Sequence, residues 1–168
     1  MANLKEIRIR IGSVSSTMQI TSAMKMVSAA KLKKAQDAIT AMRPYSDKLS
    51  ELMQSFSGTS GGGSKSFTEN RKLNKVLVVA ISSNRGLCGA FNANIAKEAL
   101  AFKSNEKFRD SKIDFLTIGK KINDTLSKNE AIIQNDSDVF EDLNYENVGK
   151  IADKLMSLFV SNDYDHIE

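Results

Sequence analysis

Residues 75–102 read KVLVVAISSNRGLCGAFNANIAKEALAF, and this stretch decides the fold. The short apolar, β-branched run from Lys75 to Ser82 predicts a buried strand, and Phe91 to Phe102 predicts a helix. Between them lies Ser82 to Gly89, SSNRGLCG, a glycine-containing turn at the carboxyl end of a strand and the amino end of a helix. Open α/β sheets bind phosphates at such a place. The residues there do not suit a phosphate. A dinucleotide loop needs G-x-G-x-x-G, whereas the glycines stand at 86 and 89 only, and a P-loop needs Gly-Lys-Ser/Thr where Gly89 is followed by Ala90-Phe91. Without crowded glycines or a placed lysine, a tight strand-to-helix turn is the expected reading.

Downstream the pattern repeats. Ile113–Ile118 reads as a strand, Lys120–Ser127 as a short helix and Ala131–Gln134 as a short strand. In a last helix Val148, Ile151, Leu155 and Leu158 share one face, with Asn144 as its N-cap. The closing DYDHIE reads as a further strand beginning, so the chain has the look of a truncated one. Strands alternating with helices predict a mainly parallel, Rossmann-like α/β sheet with right-handed connections.

Upstream the class changes. Between Gly12 and Pro44 there is neither glycine nor proline. Ile7, Ile11, Val14, Met18, Thr21, Lys25, Ser28, Leu32, Ala35, Ile39 and Met42 follow alternating steps of four and three, which predicts a coiled-coil strand. Where that seam turns polar, at Thr21, Lys25 and Ser28, a second face of Ile20, Met24, Val27 and Ala30 turns apolar. Pro44 removes one backbone donor, yet Tyr45, Leu49, Leu52, Met53 and Phe56 resume helical spacing after it. One helix from about residue 3 to about residue 56 is expected, kinked near Pro44 and roughly 80 Å long. GTSGGGSKS at 58–66 has linker composition. The expected organisation is therefore a long coiled-coil helix over 1–57, a flexible linker over 58–72 and an α/β domain over 73–168.

Composition narrows the function classes. At 168 residues, with 41% hydrophobic and 26% charged residues, the chain suits an ordered globular protein. No run approaches the roughly 18 apolar residues of a membrane span, and the N-terminus lacks the apolar core of a secretory signal. A single cysteine excludes an intramolecular disulfide and fits a reducing compartment. The net charge of +4 is uneven: residues 1–55 carry nine Lys or Arg against four acids, a balance of +5, leaving −1 on the rest. The long helix is thus the basic element and should seek an acidic partner.

Other candidate chemistry is thin. Cys88 has no base supplied for it, the lone His166 being in the apparent closing strand, so a small, partly buried cysteine and a structural or solvent-facing histidine are expected. No cluster has metal-ligand spacing, and NDSDVFED at 135–142 lacks the features of a calcium loop, so it reads as a solvated loop. Five of seven methionines, Met18, Met24, Met26, Met42 and Met53, lie on the long helix, suiting a surface that meets several non-identical environments. KLKK at 31–34 is either a solvated face or an electrostatic contact.

Three segments in register, TSAMKMVSAAKLKKAQ (21–36), RPY (43–45) and SSNRGLCGAFN (82–92), resemble the γ-subunit family of rotary F-type ATP synthases, and the resemblance runs from Leu4 to the C-terminus. It implies a non-catalytic rotor subunit of the central stalk. Its N-terminal helix would pair with a C-terminal helix, and the resulting shaft would transmit torque between the membrane ring and the β subunits. It implies α, β and ε subunits and the membrane c-ring as partners, proton flow as the energy source, no cofactor, and a peripheral place on the cytoplasmic face of a bacterial plasma membrane. Carried onto this sequence, the contacts fall on Lys25, Met26, Lys31, Lys33 and Lys34 of the helix and on Arg85, Gly86, Leu87, Cys88 and Gly89 of the loop. Gly86 and Gly89 would permit the tight turn and a close approach. Family members usually carry Asp before the loop arginine, whereas this chain has Asn84, so any salt bridge from that acid is absent. The C-terminal shaft helix lies outside the sequence, which leaves the seam open to self-association. Two further classes compete: a nucleotide-binding α/β enzyme with a coiled-coil dimerisation arm, and a basic coiled coil that binds nucleic acid. The second is disfavoured because the basic residues are interspersed with acids.

Overall fold

The computed structural model describes residues 3–57, 67 and 71–168, and the chain divides into two units, Met1–Ser60 and Gly61–Glu168. Most of the expected linker, 58–72, lies outside the described residues.

The first unit is one helix, α1, Leu4–Ser57, 54 residues with Pro44 inside it. Asn3 starts it, its side-chain oxygen accepting from the Lys5 amide at 3.2 Å and its carbonyl accepting from Glu6 and Ile7. Pro44 withholds a single amide from a ladder held by its other bonds, so the helix continues through it. Thr17, Thr21 and Thr40 hydroxyls donate back to the carbonyls four residues earlier, at 2.8 to 2.9 Å. Every described side chain of α1 is exposed, the apolar seam included: Val14 is 68%, Met18 65% and Met42 62% exposed.

The second unit is built on β1 (Lys75–Ile81), α2 (Phe91–Ala101), β2 (Lys112–Ile118), α3 (Lys120–Leu126), β3 (Ile132–Asn135), α4 (Tyr145–Val160) and β4 (His166–Ile167). The strands form one sheet in the order β3-β2-β1-β4, every pair parallel, as the strand-helix alternation predicts. β1 and β2 pair along all seven residues, from Lys75 opposite Lys112 to Ile81 opposite Ile118. The β1 alternation sorts the core. Val76, Val78 and Ala80 face Ala96 and Ala99 of α2 and Ile122 and Leu126 of α3, with Phe115 and Phe108 completing that layer. Leu77, Leu116 and Ile118 pack on the other face with Tyr164 and with Ile151, Leu155 and Leu158 of α4.

The expected caps and ends hold where their chemistry is local. Asn144 caps α4, its side-chain oxygen accepting from the Asn147 amide at 2.8 Å. DYDHIE does enter a strand. Asp165 accepts from the amides of Asn74 and Lys75, both at 2.9 Å, and so fixes β4 beside the start of β1. Those two amides, Lys75 first, hold the Asp165 carboxyl below its ordinary 3.8. Tyr164 is buried and donates to the buried Asp114 at 3.0 Å, and burial followed by that bond pushes its phenol up to about 12. His166 stacks on Phe108 at 5.5 Å and meets Glu168 at 2.7 Å, a structural role.

Candidate functional site

The loop after β1 is held by side-chain hydrogen bonds at both ends. It leaves the sheet at buried Ser82, whose hydroxyl oxygen accepts from the Ile122 amide at 3.0 Å, tying the strand end to the first turn of α3. Asn84 then uses both halves of its carboxamide. Its oxygen accepts from the Lys120 amide at 2.9 Å, and its nitrogen donates to the Ser137 carbonyl at 3.0 Å. An aspartate could make only the first of these bonds. The Ser137 carbonyl therefore takes a donor that an aspartate at this position would not supply.

Asn92, in the first turn of α2, clamps the loop from the other side. Its oxygen accepts from the Ser83 amide at 3.2 Å, and its nitrogen donates to the Arg85 carbonyl at 3.2 Å and to Cys88 Sγ at 3.1 Å. Ser83 Oγ lies 2.9 Å from the Asn92 oxygen and 2.5 Å from the Arg85 carbonyl oxygen. Between these clamps residues 85–89 are all exposed. Leu87 and Gly89 both have left-handed backbone, at φ of 62° and 61°. Leu87 is fully exposed, at 109% of its reference area. Beside the loop an open recess of about 840 Å³ is lined by Ile81, Phe91 and Phe140 with Arg85, Lys120 and Glu141 at its polar side.

Several expectations change here. Cys88 is exposed and not partly buried, because the turn directs it outward beside the Asn92 amide. Gly86 has open space where a Cβ would stand, with nothing among the described residues within 4 Å of it, whereas Gly89 supplies a left-handed turn. The glycine that makes a close approach is one the sequence reading passed over: Gly119, at φ 122°, between β2 and α3. Its signal was its place in TIGKK, directly after an apolar run. The segment 135–142 is also more than a solvated loop. Ser137–Phe140 is a 3₁₀ turn, and buried Ser137 accepts from the Gly119 amide through its hydroxyl at 3.1 Å. Asn84, Asn92, Gly119 and Ser137 together shape the loop.

On α1, Lys25, Met26, Lys31, Lys33 and Lys34 are all exposed, Met26 by 67%. Among the described residues none of these four lysines has an ion-pair partner. Among the same residues no group of three or more His, Cys, Asp or Glu is placed to hold a metal, and no helix is long and apolar enough to cross a membrane.

The family described as ATP synthase matches residues 3–168, the whole of both units apart from two residues. The chain belongs to the ATP synthase gamma-chain family. It is 62% identical over 170 residues to the ATP synthase gamma chain of Flavobacterium psychrophilum, covering 100% of this chain and 58% of that protein. It is 56% identical to the ATP synthase gamma chain of Christiangramia forsetii and 40% identical to that of Geobacter sp. strain M21, in each case over 99% of this chain and 58% of the relative. The chain thus spans about 58% of the length of the curated relatives it matches. Both the long helix and the sheet unit, with its SSNRGLCG loop, lie within the family match.

Proposed function

We propose that this chain works in the central stalk of a rotary F-type ATP synthase, as a rotor segment that transmits torque and carries no active site of its own. Proton flow through a membrane c-ring would turn it. Its asymmetric helix would then drive the β subunits of the surrounding α/β ring through different nucleotide affinities, with ε bound at its foot. Its working place is the cytoplasmic face of a bacterial plasma membrane, as a peripheral subunit. One observation carries this reading: a 54-residue helix exposes an apolar seam and four lysines that have no ion-pair partner among the described residues, in a chain of the gamma-chain family. Such lysines suit carboxylates on a partner that must be released at every step, since exposed ion pairs are individually weak and screened by salt. The seam is also free to take a second copy when the chain is purified alone.

The reading is tested by purifying the full-length subunit with α and β subunits and by equilibrium binding of ATP and ADP to the chain alone. Copurification with the ring, and no binding of either nucleotide at millimolar concentration, is expected. A chain that binds ATP with micromolar affinity and leaves the ring subunits behind would instead be the α/β enzyme domain with a dimerisation arm.

A further inference from the structure

The chain is fastened to the sheet unit well before β1 begins. Asp165 holds the amides of Asn74 and Lys75, and the Leu73 carbonyl accepts from the Ser111 hydroxyl at 2.6 Å. Upstream of these, Arg71 reaches the carboxyl end of α4, 88 positions away in the chain. Its Nη1 donates to the Phe159 carbonyl at 2.7 Å, and its guanidinium carbon lies 4.4 Å from the centre of the Phe159 ring. Phe67 stacks on the same ring, with centroids 6.5 Å apart and planes 19° apart. All three residues lie within the unit Gly61–Glu168.

The end of α4 has a need that Arg71 meets. The last carbonyls of a helix have no intrahelical donors and form the negative pole of its dipole. The last turn of α4 contains no basic residue, and Arg71 brings the missing positive charge from a distant segment. The Phe159 carbonyl, which already accepts from the Asn162 amide at 3.2 Å, gains a second donor in this way. The ring of Phe159 is likewise set apart from the core, which takes Ile151, Leu155 and Leu158 from this helix. It is half-buried, and Phe67 beside it is 50% exposed. One charge-assisted hydrogen bond and two ring contacts at such a place form a closed state that a modest pull can open.

We propose that Phe67, Arg71 and Phe159 form a clasp that takes tension arriving along the chain from α1 and passes it to α4. With the clasp closed the chain is anchored at Phe67, eight positions before β1 starts at Lys75. A pull delivered at Lys75 itself would fall beside β4, which pairs with β1 at two positions only, the shortest pairing in the sheet. The clasp diverts that pull to a 16-residue helix packed along one face of the sheet. That the tension is torque rests on the stalk reading; the clasp itself does not.

The test is single-molecule pulling on the full-length subunit through handles at Asp47 of α1 and Lys154 of α4, both exposed. Opening of the clasp should appear as a first small step, before the sheet unfolds. It should lengthen the tether by up to roughly 28 Å, eight residues at about 3.5 Å each. Arg71→Gln and Phe159→Leu should each abolish that step, while melting temperatures stay within a few degrees of the unsubstituted subunit, as expected of contacts outside the core. An unsubstituted subunit that shows no step overturns the clasp, as does a step that persists in both variants. A fall in melting temperature of more than about ten degrees in Phe159→Leu would place its ring in the core and overturn it too. An unsubstituted subunit that fails to copurify with α and β subunits defeats the stalk reading instead, because the pulling measures the subunit alone.

Discussion

Gly119 lies against the backbone of Ser82 so closely that a Cβ added to it would stand 2.4 Å from the Ser82 carbonyl oxygen and 2.6 Å from its hydroxyl. The contact joins the ends of β1 and β2 at the base of the SSNRGLCG loop, and the φ of 122° at Gly119 excludes ordinary side chains independently. Gly119→Ala is therefore expected to destabilise the sheet unit by about 3 kcal/mol or more, through strain and displaced backbone together. Gly86→Ala, with open space around it, should change stability by less than about 0.5 kcal/mol. Urea midpoints for the two variants, compared with the unsubstituted chain, measure this contrast. Equal midpoints would remove Gly119 from the account.

Asn84 is predicted to be intolerant of an aspartate. In Asn84→Asp the bond from the Lys120 amide survives, but the donor to the Ser137 carbonyl is replaced by a carboxylate oxygen facing a carbonyl oxygen. A loss of about 1–2 kcal/mol is expected at neutral pH, shrinking as the carboxyl is protonated in acid. Thermal melting from pH 7 down to pH 4 follows it. A variant as stable as the parent at pH 7 would show that the Ser137 bond contributes nothing.

The sheet unit should lose stability in two separate pH windows. Tyr164 is held protonated in the fold, so its contribution is full below pH 10 and is lost as the pH rises through about 12. Asp165 is held ionised, so its contribution is present above its ordinary 3.8 and is lost as the pH falls below that value. Absorbance of tyrosinate should show a step near pH 12, and Tyr164→Phe should abolish it. A spectrum without a step near pH 12 that Tyr164→Phe removes would contradict the Asp114 contact.

Much of this architecture is legible from residue spacing, because it follows from local periodicity. The seam from Ile7 to Met42 marks a helix, and the continuous apolar run in KVLVVAI marks a strand whose two faces are both buried. Asn144 announces a helix start through chemistry that spans only three residues. What escapes the sequence depends on contacts between distant segments. Gly119 matters because of Ser82, 37 positions away, and Ser137 is buried because the turn it starts folds back onto Gly119. Cys88 is exposed because Asn92 fixes the turn, which its own neighbours do not reveal. Pro44 is the reverse case, a strong local signal absorbed by the helix around it.

The open seam predicts behaviour for the isolated chain. Ile11 at 64%, Val14 at 68% and Met42 at 62% exposure leave a stripe that water disfavours. Sedimentation velocity should show reversible self-association that strengthens with salt, because the basic charge of α1 opposes the pairing of two copies. A monomer at every concentration and salt would count against the seam.

The central claim is that the lysines of α1 transmit force between the helix and the catalytic ring. It is tested most directly by replacing Lys25, Lys31, Lys33 and Lys34 with alanine in the full-length subunit of an assembled ATP synthase, and recording ATP hydrolysis and ATP-driven proton pumping in the same vesicles. The account predicts that pumping per ATP hydrolysed falls at least severalfold while hydrolysis persists. Pumping per ATP equal to that of the unsubstituted enzyme would contradict it.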